Sequence, residues 1–226
     1  MTQKNLEAYI LSIWGAPQKT VSEISASNNA KSLVASEQKM YCFDDICKDI
    51  FGAQSLPASA DGLVFRPKYI ELVEFKSGFK EKISKANFDL EKAKCEIKGA
   101  ICSDYWTQFN KARKLEKGDL VSSLYMKAVE SFITLDQRIF PHCEDMPDKQ
   151  LRIKYTIVID AEETDTIDDL MAGLAGKKSS SESMYTKIRK AVSKLCNQTD
   201  KYGQSYFYDM IEVVSAEEYQ KRLNWV

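Results

Sequence analysis

The stretch Gly62–Lys76, GLVFRPKYIELVEFK, leaves the chain little conformational choice. Two runs rich in β-branched and aromatic residues flank Arg66-Pro67-Lys68-Tyr69, and proline at the second position of such a four-residue turn presets its backbone. The pattern predicts strands over Leu63–Phe65 and Ile70–Lys76, paired as an antiparallel hairpin. Side chains alternate along a strand, so Ile70, Leu72, Glu74 and Lys76 share one face, and Glu71, Val73 and Phe75 share the other. With Arg66 opposite Tyr69, Phe65 faces Ile70, Leu63 faces Leu72, and Asp61 faces Glu74. Tight hairpins usually prefer other turn types than those proline favours, and a slip of one residue would turn Asp61 to the opposite face.

Around this hairpin the chain reads as alternating elements. Residues 5–14 form a first helix, and a second is expected from about Leu33 to Phe51, with Phe43, Ile46, Cys47 and Ile50 on one stripe. A mostly helical region follows at about 80–137, broken near residues 116–119, with Leu120, Leu124, Ala128, Phe132 and Leu135 on one face. LRIKYTIVID (151–160) is a strand in which Ile153, Tyr155, Ile157 and Ile159 alternate. A helix over about 182–196 turns Tyr185, Ile188, Val192 and Leu195 inward. SYFYDMIEVVS is a last strand and AEEYQKRL a short closing helix. Tyr202, Tyr206, Phe207 and Tyr208 read as strand core, although aromatic rings can also stack on bases. A hairpin followed by helical crossovers points to an α/β fold, a mixed sheet flanked by helices, in a single domain spanning 1–226.

Composition narrows the function classes. The 226 residues carry six cysteines without a CxxC pair and a single histidine, His142. That usage argues against a zinc site and a secreted disulfide framework, and points to a reducing cytoplasm. One histidine, in the loop-like FPHCEDMPD, leaves little scope for Ser-His or Cys-His catalysis. No run approaches the roughly 18 apolar residues of a membrane span, so no membrane partner is expected. The net charge of −1 conceals local polarity. Lys76–Lys117 holds 11 Lys and Arg against 6 Asp and Glu, and Lys177–Lys201 holds 7 against 2. GLAGKK at 173–178 lacks the phosphate-loop pattern, which excludes a nucleoside triphosphate site of that kind.

Asp61 and Glu74, directly opposed, repel each other unless one is protonated, a lysine is shared, or a divalent cation sits between them. Two hard oxygen ligands, with room for water and phosphate, suit Mg²⁺ or Mn²⁺. Lys76, one pleat further on, is placed to orient an attacking water or neutralise charge developing on a phosphate. Such a set can hydrolyse a phosphodiester. The opposite reading makes Glu74 and Lys76 an edge-strand ion pair and Asp61 a turn residue before Gly62.

Asp61, a spacer, then Glu74-Phe75-Lys76 resembles the PD-(D/E)xK nuclease superfamily, and the element order over about 33–160 resembles its restriction-endonuclease-like core, with a helical insertion at about 80–137. Ala60 stands where the motif has proline. The resemblance implies metal-dependent cleavage of DNA, RNA not being excluded. It implies that Asp61, Glu74 and the backbone carbonyl of Phe75 hold the metal while Lys76 assists the water. It further implies an acid on the preceding helix, for which Glu37, Asp44, Asp45 and Asp49 are all available. Lys80, Lys82 and Lys85 after the strand, and the ridge Lys187, Lys190 and Lys194 on the later helix, are candidate backbone-binding residues. A homodimer is compatible with this reading. The alternative is a non-catalytic module on the same scaffold that binds nucleic acid or a partner protein.

Overall fold

The computed structural model describes residues 3–14, 18–26, 31–52, 56–77, 120–142, 152–160, 184–197, 201 and 207–224. The described elements are α1 (Gln3–Trp14), β1 (Gln18–Thr20), α2 (Val21–Ile24), β2 (Lys39–Cys42), α3 (Phe43–Phe51), β3 (Gly62–Arg66) and β4 (Tyr69–Lys76). Then come α4 (residues 120–134), β5 (Arg152–Ile159), α5 (Met184–Asn197), β6 (Met210–Ser215) and α6 (Ala216–Leu223). Helix α4 runs on into a π-helical turn, Leu135–Ile139, and a 3-10 turn, Phe140–His142.

The described strands make one six-stranded open mixed sheet in chain order, β1-β2-β3-β4-β5-β6. Strands β1 to β4 form an antiparallel meander, whereas β4, β5 and β6 run parallel. The hairpin has the predicted register, with Arg66 opposite Tyr69, Phe65 opposite Ile70, Leu63 opposite Leu72 and Gly62 opposite Val73. Pro67 and Lys68 make the turn between the paired ends.

Both faces of the sheet are covered. Helices α1, α3, α4 and α5 pack over Leu63, Ile70, Leu72, Ile153, Tyr155 and Ile157 through Leu6, Ile10, Phe43, Ile46, Leu124, Ala128, Ile188, Val192 and Leu195. Burying one such aliphatic side chain contributes roughly 1.5–3 kcal/mol, so these apolar stripes supply most of the driving force on this face. Tyr208 is fully buried in the same cluster, and its hydroxyl donates to the Ala128 carbonyl at 2.6 Å. The opposite face is smaller: Val73, Phe75, Val158 and Val214 meet Val21, Val34, Tyr219 and Leu223 from α2, the 31–38 segment and α6.

Two predicted elements need correction. The helix expected from Leu33 begins at Phe43, preceded by strand β2. Met40 packs into one core and Tyr41 into the other. A short strand buried on both faces carries no alternation and cannot be told from helix by periodicity. The last strand begins at Met210 rather than near Ser205. The acidic run after Asp160, GLAGKK, Tyr202 and Tyr206 lie outside the described residues. Among the described residues no helix is long and apolar enough to cross a membrane.

Candidate active site

Asp61 sits at the mouth of β3, where its backbone is held from two sides. Its N–H donates to the Val73 carbonyl at 3.0 Å, and its carbonyl accepts from the Phe43 N–H at 3.1 Å. This places Asp61 next in register after the Gly62–Val73 pair, across from Glu74. The side chain is fixed as well, since the Phe75 N–H donates to Asp61 Oδ2 at 2.6 Å. Gly62 belongs here because the β2 neighbour crowds it: a Cβ would stand 2.3 Å from Met40 Sδ. Glu74 lies within β4, flanked by β3 and by Ile157 of β5, and is fully buried.

A shared lysine offsets the repulsion between the two carboxylates. Lys127 of α4 places Nζ 2.7 Å from Glu74 Oε1, 2.9 Å from Glu74 Oε2 and 3.6 Å from Asp61 Oδ1. The residue was not among those singled out from sequence, yet a signal exists. Lys127 and Ser131 fall on the same helical stripe as Leu124, Ala128 and Leu135, and a lysine on a core-facing stripe requires a buried partner. Ser131 is buried too, and its hydroxyl accepts from the Ala60 N–H at 2.8 Å, fixing the residue beside Asp61.

The electrostatics follow from burial. Glu74 is pushed up to about 8 by its removal from water and, next, by the charge of Asp61, with Lys127 opposing both. Asp61 is also raised, chiefly by burial, against the pull of Lys127. Burial tends to lower Lys127, but Glu74 and then Asp61 outweigh it and hold the ammonium above its ordinary value.

Of the four acids offered by sequence, Asp44 in the first turn of α3 is the one whose charge acts on both Asp61 and Lys127. Its Oδ1 accepts from the Ser59 hydroxyl at 2.8 Å, and its Oδ2 pairs with Lys48 at 2.6 Å. Burial acts to raise this carboxyl, yet the Lys48 and Ser59 hydrogen bonds bring it below the ordinary value. Asp45 instead pairs with Lys19 and Lys48. Asp49 is exposed on α3, and Glu37, also exposed, precedes β2 and is not helical.

Asp61, Glu74 and Lys127 open into a cleft of about 390 Å³ whose other walls are Phe75, Lys76 and Ser77 at the end of β4 and Ile24, Ser25 and Ala26. It lies at the carboxyl end of a strand in the parallel part of the sheet, where open α/β sheets place their ligands. The cleft therefore unites Asp61, Glu74, Phe75 and Lys76. The Phe75 ring turns to the other face, edge-on to Tyr219 with centroids 5.8 Å apart. Lys187, Lys190 and Lys194 lie along α5 and are not among the residues lining the cleft, while Lys80, Lys82 and Lys85 lie outside the described residues.

Among the described residues no group of three or more His, Cys, Asp or Glu side chains could hold a metal ion by itself. Mg²⁺, however, is commonly bound through one or two carboxylates, with waters and substrate phosphates completing the shell. Two hard carboxylates facing each other at the floor of a cleft, already gathered around one cation, fit that chemistry. No family model, curated protein or solved structure matches the chain.

Proposed function

We propose that the protein is a metal-dependent nuclease with a restriction-endonuclease-like core that hydrolyses phosphodiester bonds of DNA, RNA being a substrate the same chemistry would serve. The reading is carried by one observation: Asp61, the residue that leads into β3, and Glu74 of the neighbouring β4 open with Lys76 into one cleft at the end of β4. Asp61 and Glu74, with the Phe75 carbonyl, would hold Mg²⁺ or Mn²⁺. When bound, the ion would lower the pKa of a water and polarise the phosphoryl oxygen. The Phe75 N–H fixes Asp61 Oδ2, so Oδ1 is the oxygen that faces the shared cation. Lys76 orients the water and counters charge on the phosphoryl group as the water oxygen bonds to phosphorus and the sugar oxygen leaves. Lys187, Lys190 and Lys194, with Lys80, Lys82 and Lys85, are proposed to contact the backbone phosphates.

Cleavage of single- and double-stranded DNA in Mg²⁺, Mn²⁺ or EDTA tests this. Wild type should cut in either metal and not in EDTA. Glu74→Ala and Lys76→Ala, verified as folded, should each lose about 10²–10⁴-fold in rate. Undiminished cutting by either variant would remove that residue from the machinery.

A second reading has its own support. Lys127 already satisfies both oxygens of Glu74, as in a structural ion pair, which suits a non-catalytic module binding nucleic acid or a partner protein. No cleavage of any substrate, and no rise in melting temperature with either metal, would favour it.

A further inference from the structure

We propose that Lys127 is a resident cation that gives up its place between Asp61 and Glu74 to a divalent metal, and that its freed ammonium becomes a phosphate-binding group of the same cleft. The inference rests on the nuclease reading and adds to it a coupling between metal and substrate. The ammonium lies within 2.7–3.6 Å of three carboxylate oxygens, two on Glu74 of β4 and one on Asp61 just before β3, the position a shared metal would need. Both cannot hold it at once.

The surroundings favour exchange over a permanent bond. The side chain of Lys127 remains 24% exposed, while the Glu74 carboxylate it covers is fully buried. The lysine therefore reaches the acid from the cleft side and can withdraw by the same route. Helix α4 need not move. It is fastened beside Lys127 by the Ala60 N–H on Ser131 Oγ, the Ala58 N–H on Glu130 and the Tyr208 hydroxyl on the Ala128 carbonyl. Exchange is then a change of rotamer in a flexible four-carbon stem, for which the cleft has room.

Charge makes the consequence specific. Before exchange, Lys127 is spent on two acids and Lys76 is the cation left facing the cleft among its described lining residues. After exchange, the metal neutralises the two acids and both lysines face the cleft, so a phosphate diester is attracted more strongly. Coupling of this kind is reciprocal: phosphate must also tighten metal binding.

The test uses the full chain with Mn²⁺ and Ca²⁺ as probes, titrated by calorimetry, and a short single-stranded DNA whose binding in Ca²⁺ is followed by fluorescence anisotropy. Lys127→Met should bind either metal about tenfold or more tightly than wild type, the scale on which groups touching metal ligands change affinity. The same variant should bind the DNA more weakly in Ca²⁺, a split of opposite sign that a merely structural lysine would not produce. Equal or weaker metal binding by Lys127→Met overturns the exchange while leaving the nuclease reading intact. Absence of metal binding by wild type and variant alike overturns both. Should Lys127→Met fail to fold, Lys127→Arg decides: a guanidinium forked onto Glu74 should yield less readily and weaken metal binding several-fold, and unchanged affinity would refute the exchange.

Discussion

At the scale of single residues, the behaviour of the site turns on one carboxyl. Glu74 is pushed from an ordinary 4.5 up to about 8, first by burial and then by Asp61. Between those two values the folded protein holds a proton that the unfolded chain has released, so this group's contribution to stability falls as pH climbs through that window. Raised Asp61 acts in the same direction. Glu74→Gln keeps the shape of the protonated acid and cannot ionise. Its unfolding free energy relative to wild type should rise between pH 5 and pH 8 and level off above, as read by urea denaturation across that range. A difference independent of pH would show that Glu74 is ionised throughout.

At the scale of elements, the helices were legible because their apolar stripes repeat at a helical period, and Phe43, Ile188 and Val192 are buried on the predicted faces. Strand β2 was not, because a strand with Met40 in one core and Tyr41 in the other has no polar side to betray its period. The β2–β3 contact yields a direct test. Gly62→Ala drives a methyl against Met40 Sδ, which is itself buried, and should cost about 1–3 kcal/mol in thermal unfolding. Helix α6 starts on Ser215, whose hydroxyl accepts from the Glu218 N–H at 3.1 Å. Ser215→Ala should cost about 1 kcal/mol by the same measurement.

At the scale of the whole molecule, β4 carries two acids to opposite sides of the sheet with opposite consequences. Glu74 faces the cleft. Glu71 faces the smaller core, where it accepts from Arg66 Nε at 3.1 Å and the Thr156 hydroxyl at 2.6 Å, with Lys154 3.4 Å away. Lys154 in turn pairs with Glu212, which Arg222 of α6 holds at 2.6 Å. The chain of ion pairs ties four strands, β3 to β6, to the last helix. Removing one member leaves buried charge without a partner, so Glu71→Ala should destabilise by about 3–5 kcal/mol. On the proposed metal-binding reading, its divalent-metal affinity, titrated at a temperature where it is folded, should equal that of wild type. A weakened affinity would mean that the two faces are not independent.

Local chemistry was enough to set the hairpin: proline in the turn, β-branched runs on either side, and strict alternation together brought Asp61 opposite Glu74, with Lys76 on the same face. Those relations span few residues, and backbone geometry transmits them without reference to the rest of the chain. Sequence also narrowed what must lie between the two acids to a proton, a lysine or a metal. The identity of that lysine, and the choice of Asp44 over its neighbours as the acid acting on the pair, depended on where α4 and α3 come to rest. Lys127 is 53 residues from Glu74 along the chain. Only packing over the common core brings the two within hydrogen-bonding distance, because burial of apolar stripes orients helices and carries along whatever polar residues share the stripe.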